Sequence, residues 1–314
     1  MSNEIELKFE INDNDIANLK CFLEQWADSD EAEFSAISSV KRRSTKFNLT
    51  NTYYDTNDHY LRNNHCGLRV RGCEENHQKK FEITLKRDRK SVAGLHERIE
   101  FNVNLPNSEP DLTLLPHAAL PDNCNIAQLQ QNLLPLFSTD FKRQTWLISF
   151  ASSEIEVALD QGEIKSNQKV KIIQEVELEL EQGNKQDLLN FALELSRFHL
   201  HLFSQSKAAR GYLLLKNSPL KSCQFDIKMN QNLTQLLNFW QQNEEYALET
   251  NNLNFYQQTL KQISNVLADK NLSLEPEFTQ WQEALLSFNS IEKFAFSELN
   301  TRLKLALIAN LTLN

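Results

Sequence analysis

The stretch Asn3-Glu4-Ile5-Glu6-Leu7-Lys8-Phe9-Glu10 alternates charge with apolar bulk so strictly that Glu4, Glu6, Lys8 and Glu10 share one face of a strand. A solvated sheet edge would show the same pattern. The pattern recurs, however. Leu68-Arg69-Val70-Arg71 sets two guanidiniums side by side. Alone, that is an ordinary surface pair; it gains a purpose if a multiply charged oxyanion lies between them, because planar Arg forks grip phosphate oxygens in pairs. Glu175-Val176-Glu177-Leu178-Glu179-Leu180-Glu181 sets four carboxylates on one face. A divalent cation would relieve their repulsion, and carboxylate oxygens are the hard ligands that Mg²⁺ and Mn²⁺ prefer. A sheet with this much charge on one face either bathes it in water or wraps it around a polyanion.

The elements that must position these groups follow from the same periodicities. Strands are predicted at 3–11, at Leu49 to Asp55, from His65 to Arg71, at Phe81 to Lys86 (Thr84 and Lys86 opposite Ile83 and Leu85), and at Leu95 to Val103 (His96, Arg98 and Glu100 opposite Ile99 and Phe101). A polar Lys/Arg loop is expected between the last two. Asp140 to Phe150 turns Arg143 and Thr145 away from Trp146, and Glu154 to Asp160 leads into a Gln161-Gly162 hairpin turn. Helical spacing appears from Asp13 to Ala27, at Ile126, Leu129, Leu133, Leu134 and Phe137, and from Lys185 to Phe203. His199 and His201 would then lie on different helix faces, which makes them structural rather than metal ligands. Residues 28–48, with Lys41, Arg42 and Arg43, read as a solvated loop.

Composition limits the possibilities. A net charge of -9 over 314 residues, with no basic block, argues against a general nucleic-acid binder. Five scattered cysteines without a Cys-x-x-Cys pair support neither a disulfide framework nor a zinc ribbon and read as reduced thiols. The chain shows no apolar leader or membrane-length run, so a cytoplasmic protein with no membrane partner is expected.

Glu4-Ile5-Glu6-Leu7-Lys8 resembles the Glu-x-Glu-x-Lys signature that opens the CYTH superfamily, the triphosphate tunnel metalloenzymes. In the expected order come Tyr53-Tyr54-Asp55-Thr56, Leu68-Arg69-Val70-Arg71, Thr84-Leu85-Lys86, Arg98-Ile99-Glu100, Phe141-Lys142-Arg143, the run Ile155 to Gly162, Glu175 to Leu180, and Ser206-Lys207-Ala208-Ala209-Arg210-Gly211-Tyr212. The resemblance covers roughly residues 1–216 and implies an α+β fold, an antiparallel eight-stranded tunnel barrel with flanking helices. It further implies that Lys8, Arg69, Arg71, Lys86, Arg143 and Lys207 bind phosphate, with Arg98 and Arg210 as further candidates. Glu4, Glu6, Asp160, Glu175 and Glu177 match the family's metal positions, and Glu179 extends the same carboxylate face. Glu4, Glu6 and Lys8 are thus expected at the reacting centre, with Glu100 or Glu179 as a general base if one is needed.

The sequence around Val157 to Gly162 and Ser206 to Tyr212 looks most like the bacterial inorganic triphosphatases, which cleave tripolyphosphate with Mg²⁺ or Mn²⁺. Adenylate cyclase, thiamine or nucleoside triphosphatase, and a non-catalytic polyphosphate-binding module are the alternatives. A pure polyanion receptor has no use for five carboxylates beside its ligand, which favours hydrolysis. Residues 217–314 read as a helical C-terminal domain, with apolar spacing at Leu233, Leu236, Leu237 and Trp240, at Leu260, Ile263, Val266 and Leu267, and along Ile291 to Leu311. Longer bacterial relatives carry a histidine-rich helical CHAD domain there. The last histidine here is His201, so a polyphosphate-binding role does not carry over, and packing against the barrel or a partner subunit is expected, in a monomer or homodimer.

Overall fold

A computed structural model of the chain describes residues 2–34, 44–75, 78–92, 94–270, 272, 274 and 276–312. In chain order the elements are β1 (Ser2–Glu10), α1 (Asp13–Phe34), β2 (Thr45–Asp55), the single turn α2 (Tyr60–Asn63), β3 (Cys66–Glu75), β4 (Gln78–Val92), β5 (Leu95–Leu105), α3 (Ile126–Asn132), β6 (Leu134–Phe150), β7 (Ser153–Ser166) and β8 (Lys169–Gln182). Then come α4 (Lys185–Leu195), the two-residue β9 (His201–Leu202), α5 (Lys207–Lys216), α6 (Leu233–Thr250), α7 (Leu253–Ala268), α8 (Glu277–Leu285), α9 (Ile291–Ala295) and α10 (Glu298–Thr312).

The strands pair antiparallel in the order β5-β4-β3-β2-β6-β7-β8-β1, and β1 also pairs with β5, so eight of the described strands close a barrel. Closure removes the free edges and gives every strand an inward and an outward face. Outward positions are apolar. Leu7, Phe9, Trp146, Val157 and Leu178 pack under α1 and α4, and the same core runs on without a break through Leu236, Trp240, Tyr256, Trp281 and Leu303 of the C-terminal helices. A second core sets Leu68, Val70, Ile83, Leu85 and Phe101 against Leu61, Leu112, Leu120 and Leu129. A third lies on the inward face and joins Leu49, Phe137, Phe141 and Ile164 to Tyr212 of α5. The other inward positions carry the charge. Beyond the end of β5, β9 takes over the edge of β1, pairing Leu202 with Phe9 and His201 with Glu10.

Five local expectations are corrected. The Lys/Arg stretch after Lys86 is strand, since β4 continues to Val92 in register with β5. Leu133, Leu134 and Phe137 are not helical: α3 ends at Asn132, and Phe137 is a strand residue stacked on Tyr53 with ring centroids 4.8 Å apart. Gln161-Gly162 is no turn. Gly162 pairs with Phe141 on one side and Ile173 on the other, and glycine is there because a Cβ would sit 2.2 Å from the Asp140 carbonyl oxygen. The helix expected to reach Phe203 stops at Leu195; after a 3₁₀ turn the chain passes through His199 at φ 52° into β9, so neither histidine lies on a helix face. Of the expected 28–48 loop, α1 extends to Phe34 and β2 begins at Thr45, while Lys41, Arg42 and Arg43 fall outside the described residues.

Candidate active site

The barrel encloses a cavity of about 560 Å³, and all six expected phosphate-binding side chains, Lys8, Arg69, Arg71, Lys86, Arg143 and Lys207, line it. They arrive from β1, β3, β4, β6 and the first residue of α5. Each is oriented by a carboxylate or amide. Arg143 donates Nε–H and Nη2–H to the two oxygens of Asp160, both at 2.7 Å, and reaches Glu177 at 2.6 Å. Lys207 pairs with Asp160 at 2.6 Å, with Glu177 at 3.0 Å and with Glu175. Lys8 pairs with Glu6 at 2.7 Å and with Glu177, and Lys86 with Glu4 at 2.6 Å.

Two arginines are left undersatisfied. Arg71 donates to Asn51 Oδ1 at 2.9 Å, and among the described residues no carboxylate lies within ion-pair distance of it. Burial, followed by the guanidiniums of Arg69 and Arg143, pushes it down to about 9. Arg69 makes one long contact to Glu100, 3.5 Å, and its Nε is buried without a partner. Both guanidiniums are thus buried donors with fewer acceptors than they can use.

The acidic residues separate into two groups. Asp160, Glu175 and Glu177 bring carboxylate oxygens within 4.8 Å of one another. Arg143, Lys207, Lys8 and Arg210 neutralise them. The second group is Glu4, Glu6 and Glu179, where Glu6 stands beside Glu179 across the β1–β8 pairing. Here compensation is incomplete. Glu4 Oε2 is buried without a partner. Burial first, and then the neighbouring Glu4, push the Glu179 carboxyl up to about 8. Glu6 differs: Lys8 and Arg98 outweigh its burial and hold it down at about 2.

The remaining expected residues fall in less direct places. Arg98 lines the cavity, but its guanidinium is engaged by Glu6 and, at 2.9 Å, by Asp88. Arg210 is buried, paired with Glu175, and not among the side chains that line the cavity. Burial pushes Glu100 up, but Lys86 and Arg69 outweigh it and keep its carboxyl below the usual range. Glu100 is therefore an ionised partner of two cations.

Sequence reasoning missed Arg62, Tyr212 and Asp55. Arg62 lines the cavity with its guanidinium 4.1 Å from the Tyr212 ring centroid, and its Nη1 is buried without a partner. Asp55 holds both: its carboxylate accepts from the Leu61 and Arg62 N–H groups at 2.8 and 3.0 Å and from the Tyr212 hydroxyl at 2.8 Å. The Tyr53 to Thr56 motif signalled something here, but Arg62 sits on a helical turn and is invisible to a period-2 search. Asn102 and Glu156, also in the lining, lie inside strands already read, on the same faces as Glu100 and Asp160, and were within reach.

A family model described as the CYTH domain matches residues 2–212. The chain belongs to the CYTH family. An inorganic triphosphatase of Haemophilus influenzae is 41% identical over 172 residues, a match covering 53% of this chain and 46% of that protein. The matched part thus spans about half the length of that curated relative. Among solved structures, HpAC1 from Hippeastrum, described with a dominant triphosphatase activity, aligns over 68% of this chain and 96% of its own, at 14% identity and a TM-score of 0.42. PH1819 from Pyrococcus horikoshii aligns over 68% and 98%, at 15% identity and a TM-score of 0.37. The CYTH match ends inside α5, so the helices from α6 onward lie beyond it. Among the described residues, no helix is long and apolar enough to cross a membrane.

Proposed function

We propose that this CYTH protein hydrolyses inorganic tripolyphosphate to pyrophosphate and phosphate inside the barrel, with Mg²⁺ or Mn²⁺. One observation carries the reading: the same cavity holds undersatisfied donors, Arg69 Nε and the Arg71 guanidinium, and an orphaned acceptor, Glu4 Oε2. A polyanion alone would suit the first and repel the second; a polyanion accompanied by a divalent cation suits both. Glu4 and Glu179 fit the cation as hard oxygen donors, because Glu4 Oε2 has no partner and a cation would relieve the burial and like charge that push the Glu179 carboxyl up; Glu6, like Asp160, Glu175 and Glu177, already has cationic partners that a bound cation would have to displace. When bound, the ion supplies charge neutralisation and a polarised water.

The chain's own residues do the rest. Arg69, Arg71, Arg143, Lys8, Lys86 and Lys207 hold the phosphoryl oxygens from several sides of the lumen and so fix the chain of phosphates in line. Their charge stabilises the negative charge that develops on the leaving pyrophosphate. Asp160 and Glu177 hold Arg143 and Lys207 in place before substrate arrives. Glu100 orients Arg69 and Lys86 and makes a poor general base, because pairing lowers its basicity. In this reading residues 1–216 are the catalytic unit and 217–314 a helical support, in a cytoplasmic monomer or homodimer with no nucleic-acid partner.

The test is phosphate release from tripolyphosphate, ATP and thiamine triphosphate in parallel, with and without Mg²⁺ or Mn²⁺, against Glu6→Ala. Fast metal-dependent cleavage of tripolyphosphate, lost in the variant, is expected. Binding of tripolyphosphate without cleavage of any of the three would make the protein a polyphosphate-binding module instead.

A further inference from the structure

The helices beyond residue 217 touch the chain at a telling place. The segment Leu200 to Ser206 connects the barrel edge to α5, whose first residue, Lys207, projects into the lumen. On its barrel side this segment is fixed by the β9–β1 pairing, by the Phe203 N–H donated to the Lys8 carbonyl at 2.8 Å and by the His201–Glu10 contact at 3.0 Å, all of them before Ser204. On its other side it is held by side chains from the C-terminal helices. Ser204 donates its N–H and its hydroxyl to Glu245 Oε1 at 2.9 and 2.6 Å, and Gln205 donates to Glu245 Oε2 at 2.6 Å. Gln241 of the same helix donates to the Leu202 carbonyl, and Thr301 of α10 donates to the Leu200 carbonyl.

We infer that Glu245, on α6, is a positioning residue for the lumen: it sets the entry of α5 and with it the reach of Lys207 and the Lys207–Asp160–Glu177 contacts. Generic packing of the tail would need only the apolar core shared by α6, α10 and the barrel. A buried carboxylate that binds the two residues immediately before the α5 N-cap, Ser206, does something more specific. Three donors converge on one side chain within three residues of a lumen lysine, so the loss of that side chain is felt at the site before it is felt in the core.

This inference rests on the triphosphatase reading for its kinetic arm, and a second arm is independent of it. In the full-length protein, Glu245→Ala is expected to raise KM for tripolyphosphate roughly tenfold, with a smaller fall in kcat. Glu245→Gln is expected to recover most of this, because Gln keeps an acceptor for Ser204, and the Gln205 amide, whose Oε1 is buried without a partner, can turn over to accept from the new amide. In a Lys207→Ala background the Glu245→Ala effect should vanish, since both act through the same lysine. Amide exchange at residues 204–210 should accelerate in Glu245→Ala while exchange in the barrel strands stays unchanged, whatever the substrate. Unchanged exchange at 204–210, or kinetic effects that simply add to those of Lys207→Ala, would overturn the inference. A wild-type protein that cleaves no triphosphate, with exchange still changed in the variant, would overturn only the triphosphatase reading.

Discussion

At the scale of single residues, the lumen is a balance of opposite charges that substrate and cation are expected to complete. Glu4→Ala removes the orphaned oxygen and the partner of Lys86, so activity should fall by about 10³-fold or more with little change in thermal stability, as measured by turnover and calorimetry on the same sample. Arg71→Ala removes a cation that no carboxylate holds among the described residues. It should lower kcat/KM by roughly 10²-fold and leave folding intact or slightly improved, because an underpaired buried charge is a cost to folding. Unaltered kcat/KM in that variant would remove Arg71 from the site. Tyr212→Phe tests the Asp55 hub: the lost hydroxyl leaves Asp55 Oδ2 one donor short, and about 1–2 kcal/mol of stability should go with it in urea titrations.

At the scale of elements, the barrel depends on strands approaching closely enough to keep every inward side chain in register. Gly162 is where that demand is most visible, since its missing Cβ would strike backbone atoms of β6, the Asp140 oxygen at 2.2 Å and Phe141 Cα at 2.5 Å. Backbone cannot turn aside as a flexible side chain can. Gly162→Ala should therefore separate β6 from β7 locally and cost about 2 kcal/mol or more, seen as a lower denaturation midpoint. Activity should fall with it, because Arg143 on β6 and Asp160 on β7 are cross-strand partners two steps away.

At the scale of the molecule, barrel and C-terminal helices share one apolar core, and within it lies a buried polar cluster centred on His201. His201 is fully buried, with Nδ1 3.0 Å from Glu10 of β1 and Nε2 2.8 Å from Glu244 of α6, where Lys304 and Tyr256 also converge. Burial alone would push the imidazole down, but the hydrogen bonds its ring donates to Glu10 and Glu244 outweigh it and raise it to about 9. The folded state thus holds this proton more tightly than the unfolded chain. The resulting stability, of order 3 kcal/mol, is fully present below pH ~6.5 and is lost as pH rises toward 9. Urea denaturation at pH 6, 7.5 and 9 should show that decline in wild type and a flatter profile in His201→Gln; equal slopes would mean that His201 is not the group responsible.

What the sequence determined by itself was the alternation: which residues face inward, which strands carry basic side chains and which carry carboxylates, because side-chain direction along a strand is a local property of period two. That placed Lys8, Arg69, Arg71, Lys86 and Arg143 on inward strand faces, whereas Lys207 on α5 and the closed antiparallel barrel were legible only through the motifs of the CYTH family taken together. The tertiary structure decided the rest. Whether Gln161-Gly162 turns or continues depends on strands β6 and β8 on either side, and the end of α4 depends on β9 finding the edge of β1. Which charges are compensated is also non-local: Arg98 is engaged by Glu6, 92 residues away, and Lys207 by Glu175, 32 residues away. Only the closed barrel, by bringing those residues into one low-dielectric space, separates the carboxylates that are fully paired from Glu4, whose Oε2 has no partner, and Glu179, whose carboxyl burial and like charge push up.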